Sequence, residues 1–256
     1  MLRFKSLGSG STGNATLVEV SGRKPLRLLV DCGLGLKQLS VRLAGAGLAE
    51  DDIDAIFITH EHSDHIGCAR QFARRHRVPV WMSRGTYEGI GSPDFDGLLH
   101  TARDAEAIDL GNLQIMPFTV PHDAREPLQL TCTDGATKLG ILTDLGHATA
   151  HLLMHLERCN ALLLECNHDS DLLAQSSYPP FLKRRVGGKY GHLSNSAAGA
   201  IAQSMAHGGL KHLVTAHLSE QNNRPELARQ AMFEALGSVT EITIADAGTG
   251  TRWLSI

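Results

Sequence analysis

The densest chemistry in the chain lies in His60-Glu61-His62-Ser63-Asp64-His65, with three histidines and an aspartate in six positions. A hydrophobic run, Ile53–Thr59, precedes them, and a helical pattern over Ile66–His76 follows. In an extended segment, residues two apart point to the same side, so His60 and His62 can converge on one metal ion. Asp64 and His65 lie beyond the turn and can reach a second. Neutral imidazole with carboxylate suits zinc, manganese or iron rather than a soft thiolate site. A strand-to-helix loop held by a rigid frame is a normal place for such side chains. The competing reading is a solvated polar loop, and four potential ligands in this order argue against it.

The rest of the composition sets bounds. The chain has 256 residues, 42% of them apolar and 20% charged, which suits one globular domain over residues 1–256. Its formal net charge of −3 excludes a globally basic nucleic-acid binder, although a local basic patch remains open. Histidine is in excess, at 14. Five scattered cysteines without CxxC spacing argue against a disulfide scaffold and for a reducing cytoplasm. The first residues contain no apolar signal region, and no apolar run approaches the roughly 20 residues needed to cross a bilayer. A soluble cytoplasmic protein without membrane contact is expected.

Strands are expected at Leu2–Leu7, Thr16–Val20, Leu26–Asp31, Ile53–Thr59, Val80–Met82, Leu113–Thr119, Leu128–Thr133, Thr137–Thr143, Ala161–Glu165, His212–Ala216, Glu241–Ala245 and Arg252–Ser255. Asp134-Gly135 reads as a two-residue hairpin turn. Helices are expected from Leu36, Leu39, Val41 and Leu43, and over Ile66–His76, Ala150–Glu157, Ser196–Ala206 and Glu226–Leu236. Pro225 opens the last of these. Two blocks of strands with helices outside them form a layered α/β architecture.

HxHxDH after a hydrophobic strand resembles the metallo-β-lactamase fold superfamily. The resemblance implies a four-layer αββα sandwich with a metal site at one edge of its two sheets. It also implies three later ligands at strand ends, and the chain offers His122, Asp144 and His217. Each alone would be an ordinary turn, cap or surface residue. Together they imply His60, His62 and His122 on one ion and Asp64, His65 and His217 on another, bridged by Asp144.

Further segments extend the resemblance over almost the whole chain. They are Ser9–Asn14, Val120–Ala124, Leu164–Asp169, Tyr178–Arg185, Gly191–Asn195 and Ala216–Asn223. The chain is similar in them to the bacterial YycJ/WalJ-type family, with ribonuclease Z a more distant relative. That family implies a metal-dependent 5′→3′ exonuclease acting on DNA more than RNA. Two divalent ions, zinc or manganese before iron and about 3.5–4 Å apart, would share an activated hydroxide that attacks phosphorus. The spacing of ligands by itself implies only a metal-dependent hydrolase.

His192 precedes a helix whose N-terminus can receive a phosphate, and it can assist at the scissile phosphate or the leaving group. Glu165 would orient His192. Asp64 would also orient the hydroxide. Ser194 and Asn195 are either phosphate contacts or helix caps. His168 and Asp169 either line the pocket or serve a cap. Lys183, Arg184 and Arg185, with Lys189, are either phosphate contacts or a solvated face. Ser9–Asn14 is either a phosphate-side loop or a hairpin turn. A small-molecule hydrolase, a non-catalytic metal-binding module and a di-iron protein are the alternative functions. Oligomeric state is not legible.

Overall fold

The structure is a computed structural model describing residues 1–256. The first half of the chain builds β1 (Leu2–Gly8), β2 (Ala15–Val20), β3 (Leu26–Val30), β4 (Ala55–Phe57), β5 (Val80–Met82) and β6 (Leu99–Thr101). The second half builds β7 (Ile108–Asp109), β8 (Gln114–Thr119), β9 (Leu128–Thr133), β10 (Lys138–Leu142), β11 (Ala161–Glu165), β12 (His212–Ala216) and β13 (Glu241–Ile244). The last strand, β14 (Leu254–Ser255), returns to pair with β1. The result is two seven-stranded sheets, ordered β14-β1-β2-β3-β4-β5-β6 and β13-β12-β11-β10-β9-β8-β7.

Alternation along the strands explains the layering. Phe4, Val18, Leu28, Val30 and Phe57 of the first sheet meet Ile115, Leu130, Ile141, Leu163 and Val214 of the second in one buried core. The opposite face of the first sheet packs Leu17, Leu29 and Ile56 against α1 (Leu36–Gly45), α2 (Ser63–Ile66) and α3 (Ala69–His76), together with α4 (Arg84–Gly89). The second half of the chain adds α5 (Ala150–Leu156), α6 (Ser170–Gln175), α7 (Pro180–Val186), α8 (Asn195–Ser204) and α9 (Pro225–Leu236). Of these, α5, α8 and α9 supply the apolar residues buried against the opposite face of the second sheet. The order is helices, sheet, sheet, helices, as expected for an αββα sandwich.

Several local expectations are corrected. The helix expected over Ile66–His76 is two helices, α2 and α3, separated at Gly67, whose φ is +27°. A Cβ on Gly67 would lie 2.4 Å from the Cys32 carbonyl oxygen, so backbone crowding breaks the helix. Only Ala55–Phe57 of the expected Ile53–Thr59 strand pairs as β4. Asp134-Gly135 is part of a four-residue loop, because Thr133 pairs with Lys138. The Asp134 carboxylate draws the loop open by accepting the N–H groups of Ala136 and Thr137. On α1, Leu39 and Leu43 are buried while Val41 is exposed, which fits an i, i+4 stripe. The short edge strands β6 and β7 and the short helices α4, α6 and α7 carry too few periodic residues to be read in advance.

Parallel pairing of β10, β11 and β12 positions the site. Leu142, Leu164 and Thr215 are aligned in register. Asp144 and His217 each follow two residues later, and Glu165 follows one later, so all three emerge at the same sheet edge. His60 beyond β4, Asp31 beyond β3 and His122 beyond β8 come to that edge as well. Side-chain groups converging at the carboxyl ends of strands are a recurrent solution in α/β proteins.

Candidate metal centre

The seven expected ligands come together. Donor atoms of His60, His62 and His122 lie within 4.8 Å of one another, as do those of Asp64, His65 and His217. Asp144 lies between the two trios. Its Oδ2 is 3.7 Å from His60 Nε2 and in contact with His65 Nε2, and its Oδ1 is 2.7 Å from His217 Nδ1. Asp64 Oδ2 is 3.5 Å from His217 Nε2 and 3.7 Å from His65 Nε2. Asp64 and His65 are held on one turn of α2, with His62 as the residue before its start.

Hydrogen bonds behind the histidines decide which nitrogen faces inward. Asp31 accepts from the Thr59 backbone N–H (2.9 Å) and from Thr59 Oγ1–H (3.0 Å). With its one proton committed to Asp31, Thr59 Oγ1 can only accept from His60 Nδ1–H, 3.0 Å away. His65 Nδ1–H donates to Asp31 Oδ2 at 2.8 Å. His122 Nδ1–H donates to the Gly191 carbonyl at 3.0 Å. His217 Nδ1–H donates to Glu165 Oε1 at 3.1 Å. In each of the four rings Nδ1 is anchored, which turns Nε2 inward as the nitrogen through which a cation would be held. Such outer partners fix the tautomer and raise ligand basicity.

The residues fit bound divalent cations on grounds independent of the motif. His60 Nε2, His217 Nε2 and both Asp144 oxygens are buried without a well-formed hydrogen bond. Polar atoms buried in this state are costly unless a charge or partner satisfies them. Burial, and then the neighbouring imidazoles, hold His60 well below the usual histidine range, so it is neutral and ready to coordinate. Burial likewise lowers His122. Burial also works against charge on His65, but Asp144 and Asp31 outweigh it and lift the ring to about 10. Asp144 is held well below the usual carboxylate range: burial opposes this, and His217 and His65 override it. Protons on His65 and His217 therefore balance the buried carboxylates in the metal-free protein, in the place a cation would take.

Backbone strain marks the same edge. Asp31, Asp144 and His217 all have positive φ, at 62°, 58° and 54°. Non-glycine residues adopt this region at a cost and do so where surroundings over-determine them. The His217 N–H is held by Ser9 Oγ at 2.7 Å, and the Asn14 amide contacts the Asp64 carbonyl (3.3 Å) and His65 Nε2 (3.0 Å). The Ser9–Asn14 segment thus connects β1 to β2 and also braces both Asp64 and His217. Asp31 and Thr59 carry no role in the sequence reading, and Ser9–Asn14, expected as a phosphate-side loop or a hairpin turn, instead braces the ligand-bearing backbone. The one available signal was the position of Asp31 at the end of a hydrophobic strand.

A cavity of about 400 Å³ opens over the cluster, lined by Ser11, His62, Asp64, Asp144, Tyr178, Arg185, His192 and His217 among others. His192 Nδ1 is 2.7 Å from Glu165 Oε1 and 3.0 Å from Asp144 Oδ1. Burial pushes His192 down, but Glu165 and Asp144 raise it to about 10. Burial pushes Glu165 up, yet His192 and His217 bring it to about 2. Glu165 also accepts the N–H groups of Leu145 (3.0 Å) and Leu193 (3.1 Å).

Of the other expected substrate contacts, Arg185 lines the cavity and Ser194, Asn195 and His168 do not. Ser194 Oγ caps α8 by accepting the Ala197 N–H at 3.2 Å, the cap of the two alternatives expected for it. Asn195 is buried and bonded to Asn223 at 2.9 Å. His168 is buried beside Ser194 and does not line the cavity, and Asp169 caps α6. Of the basic run, Arg185 lines the cavity and bonds Asp123 at 2.6 Å. Lys183 Nζ bonds the Ala174 carbonyl at 2.6 Å, and Arg184 is exposed.

Comparison with known proteins gives a consistent picture. Residues 26–217 match the family model described as β-lactamase superfamily domain. The exodeoxyribonuclease YycJ of Bacillus anthracis is 34% identical over 240 residues, covering 92% of this chain and 89% of the relative. The exodeoxyribonuclease WalJ of Streptococcus pneumoniae serotype 2 is 32% identical over 254 residues, covering 97% and 91%. The metallo-β-lactamase fold protein YhfI of Bacillus subtilis superposes with a TM-score of 0.76 at 20% identity, covering 99% of this chain and 98% of that one. This last likeness concerns the fold alone.

Proposed function

The chain belongs to the β-lactamase superfamily and, within it, to the YycJ/WalJ exodeoxyribonuclease family, and on that premise we propose that it is a two-metal phosphodiesterase removing nucleotides from DNA ends. The observation that carries this reading is the pair of ligand trios with Asp144 between them. His60, His62 and His122 would hold one divalent ion, and Asp64, His65 and His217 the other. When bound, such ions lower the pKa of a water and neutralise charge on phosphoryl oxygens.

The chain's own groups do the rest. Anchored Nδ1–H groups keep the ligand rings oriented, so no reorganisation is needed when substrate arrives. Asp64 lines the cavity and orients the attacking water. His192 also lines the cavity, and its proton at Nδ1 is held by Glu165. Its Nε2 proton is then available to the leaving oxygen as general acid. Arg185, Lys183 and Arg184 would contact backbone phosphates without reading sequence. No helix is long and apolar enough to cross a membrane. All five cysteines are free and buried, which supports a reducing cytoplasm as the working compartment.

The test is a nuclease assay with end-labelled DNA and RNA, supplemented with zinc or manganese and run beside Asp64→Ala. Metal-dependent release of nucleotides by the wild type and loss in the variant is the expected result. Equal activity in the variant, or turnover of a thioester with no DNA cleavage, would overturn the assignment.

A further inference from the structure

Aromatic residues make up only 5% of the chain and most are buried or half-buried, yet Phe181 is 66% exposed and Tyr190 is 62% exposed. Both belong to the segment Tyr178–Tyr190, which carries α7; α7 flanks the cavity, and Tyr190, next to the lining residue Gly191, lines an adjoining hollow with Pro121 and His147. No residue of α7 is buried, although it bears Phe181, Leu182 and Val186. Core packing therefore does not account for these apolar side chains. Leu182, Arg185 and Val186 line the cavity with Tyr178. Phe181 is one helical turn before Arg185 and shares its side of α7. Lys183, Arg184 and Lys189 in the same segment form no ion pair, while Arg185 bonds Asp123.

Exposed aromatic rings interleaved with unpaired cations match a partner that offers flat π-faces along a polyanionic backbone. Unpaired nucleotides provide both features, because each base can stack and each phosphate can be contacted. A paired duplex end hides its base faces in the helical stack. The cavity over the metal cluster, at about 400 Å³, is of a size for a terminal nucleotide rather than a duplex.

The geometry points to Tyr178–Tyr190 as a shelf for the unpaired end of a DNA strand. Tyr178 stacks at the cavity, Phe181 and Tyr190 stack on its rim, and Lys183, Arg184 and Lys189 hold the backbone. This deepens the nuclease reading and rests on it for the identity of the strand as substrate.

Binding to the metal-free protein in chelator tests the shelf without using activity. The probes are a fluorescent single-stranded 12-mer oligodeoxynucleotide and a blunt 12-base-pair duplex, followed by anisotropy. Wild type should bind the single strand more tightly. Phe181→Ala and Tyr190→Ala should each weaken single-strand binding at least about fivefold, with little effect on the duplex. Phe181→Trp should restore it. Phe233→Ala, at another exposed aromatic on α9 (56% exposed), should have no effect. Exposed positions leave the fold intact, and thermal melting checks this. Unchanged binding in both variants, or equal weakening of single strand and duplex, would overturn the shelf. Single-strand preference with no metal-dependent cleavage would instead overturn the nuclease reading and leave the shelf standing.

Discussion

Thr59 Oγ1 is 3.0 Å from His60 Nδ1 and cannot donate to it, because its only proton goes to Asp31. The hydroxyl therefore accepts the His60 proton, and His60 Nε2 is left bare toward the metal cluster. One hydroxyl between a carboxylate and an imidazole thus sets the tautomer of a candidate ligand. Thr59→Val should remove this control and leave His60 Nδ1–H buried without an acceptor, at a cost of about 1–3 kcal/mol. Thr59→Ser should preserve it. Thermal unfolding and bound-metal content of the two variants decide the matter; equal metal content would refute the role.

Asp31 serves His65 in the same manner, through a 2.8 Å bond to Nδ1. Asp31→Asn keeps the shape and removes the charge. Metal affinity at the Asp64–His65–His217 trio should fall about 10- to 100-fold. Competition titration against a chromophoric chelator measures this, and an affinity within about twofold of wild type would contradict it.

Metal binding should release protons. His65 carries its extra proton up to about 10 in the metal-free protein, stabilised by Asp144 and Asp31. A ligand must shed that proton, so the apparent affinity should rise with pH, by about tenfold per unit for each proton displaced. The sign follows from the raised value: the competing proton is bound at neutral pH and is lost only as pH approaches 10. Calorimetry of zinc or manganese binding in buffers of different ionisation enthalpy counts the protons. A buffer-independent heat would exclude the linkage.

Glu165 holds His192 Nδ1 at 2.7 Å and raises that ring to about 10. Glu165→Gln should lower kcat on DNA about 10²-fold, the scale of losing a general acid, with a smaller change in KM. Removing the carboxylate lowers the His192 pKa, so the alkaline limb of the pH–rate profile should move to lower pH. An unmoved limb would mean that Glu165 has only a structural role.

Gly33 is required by close approach: a Cβ there would lie 1.7 Å from the Asp64 carbonyl oxygen. Gly33→Ala must push the α2 turn away from β3. A loss of about 3 kcal/mol in stability is expected from such overpacking, together with reduced metal content. Denaturant unfolding with metal analysis checks both.

The sequence by itself singled out the candidate ligands and their order. His60, His62, Asp64 and His65 stand out by their spacing after a hydrophobic run, the family resemblance adds His122, Asp144 and His217 at strand ends, and strands such as Ala161–Glu165 and His212–Ala216 were legible to the residue. Alternation and strand ends are local properties, so they survive in one dimension. Only the tertiary structure decided what supports those ligands. Asp31 and His65 are 34 positions apart, and Ser9 and His217 are 208 apart. Such pairs exist only because strand register brings them to one sheet edge. Ser194 and Asn195, close to His192 in the chain, do not line the cavity, because a cap and a buried amide pair turn their side chains elsewhere. Sequence proximity places backbone, whereas hydrogen-bond satisfaction in the folded interior decides where a polar side chain points.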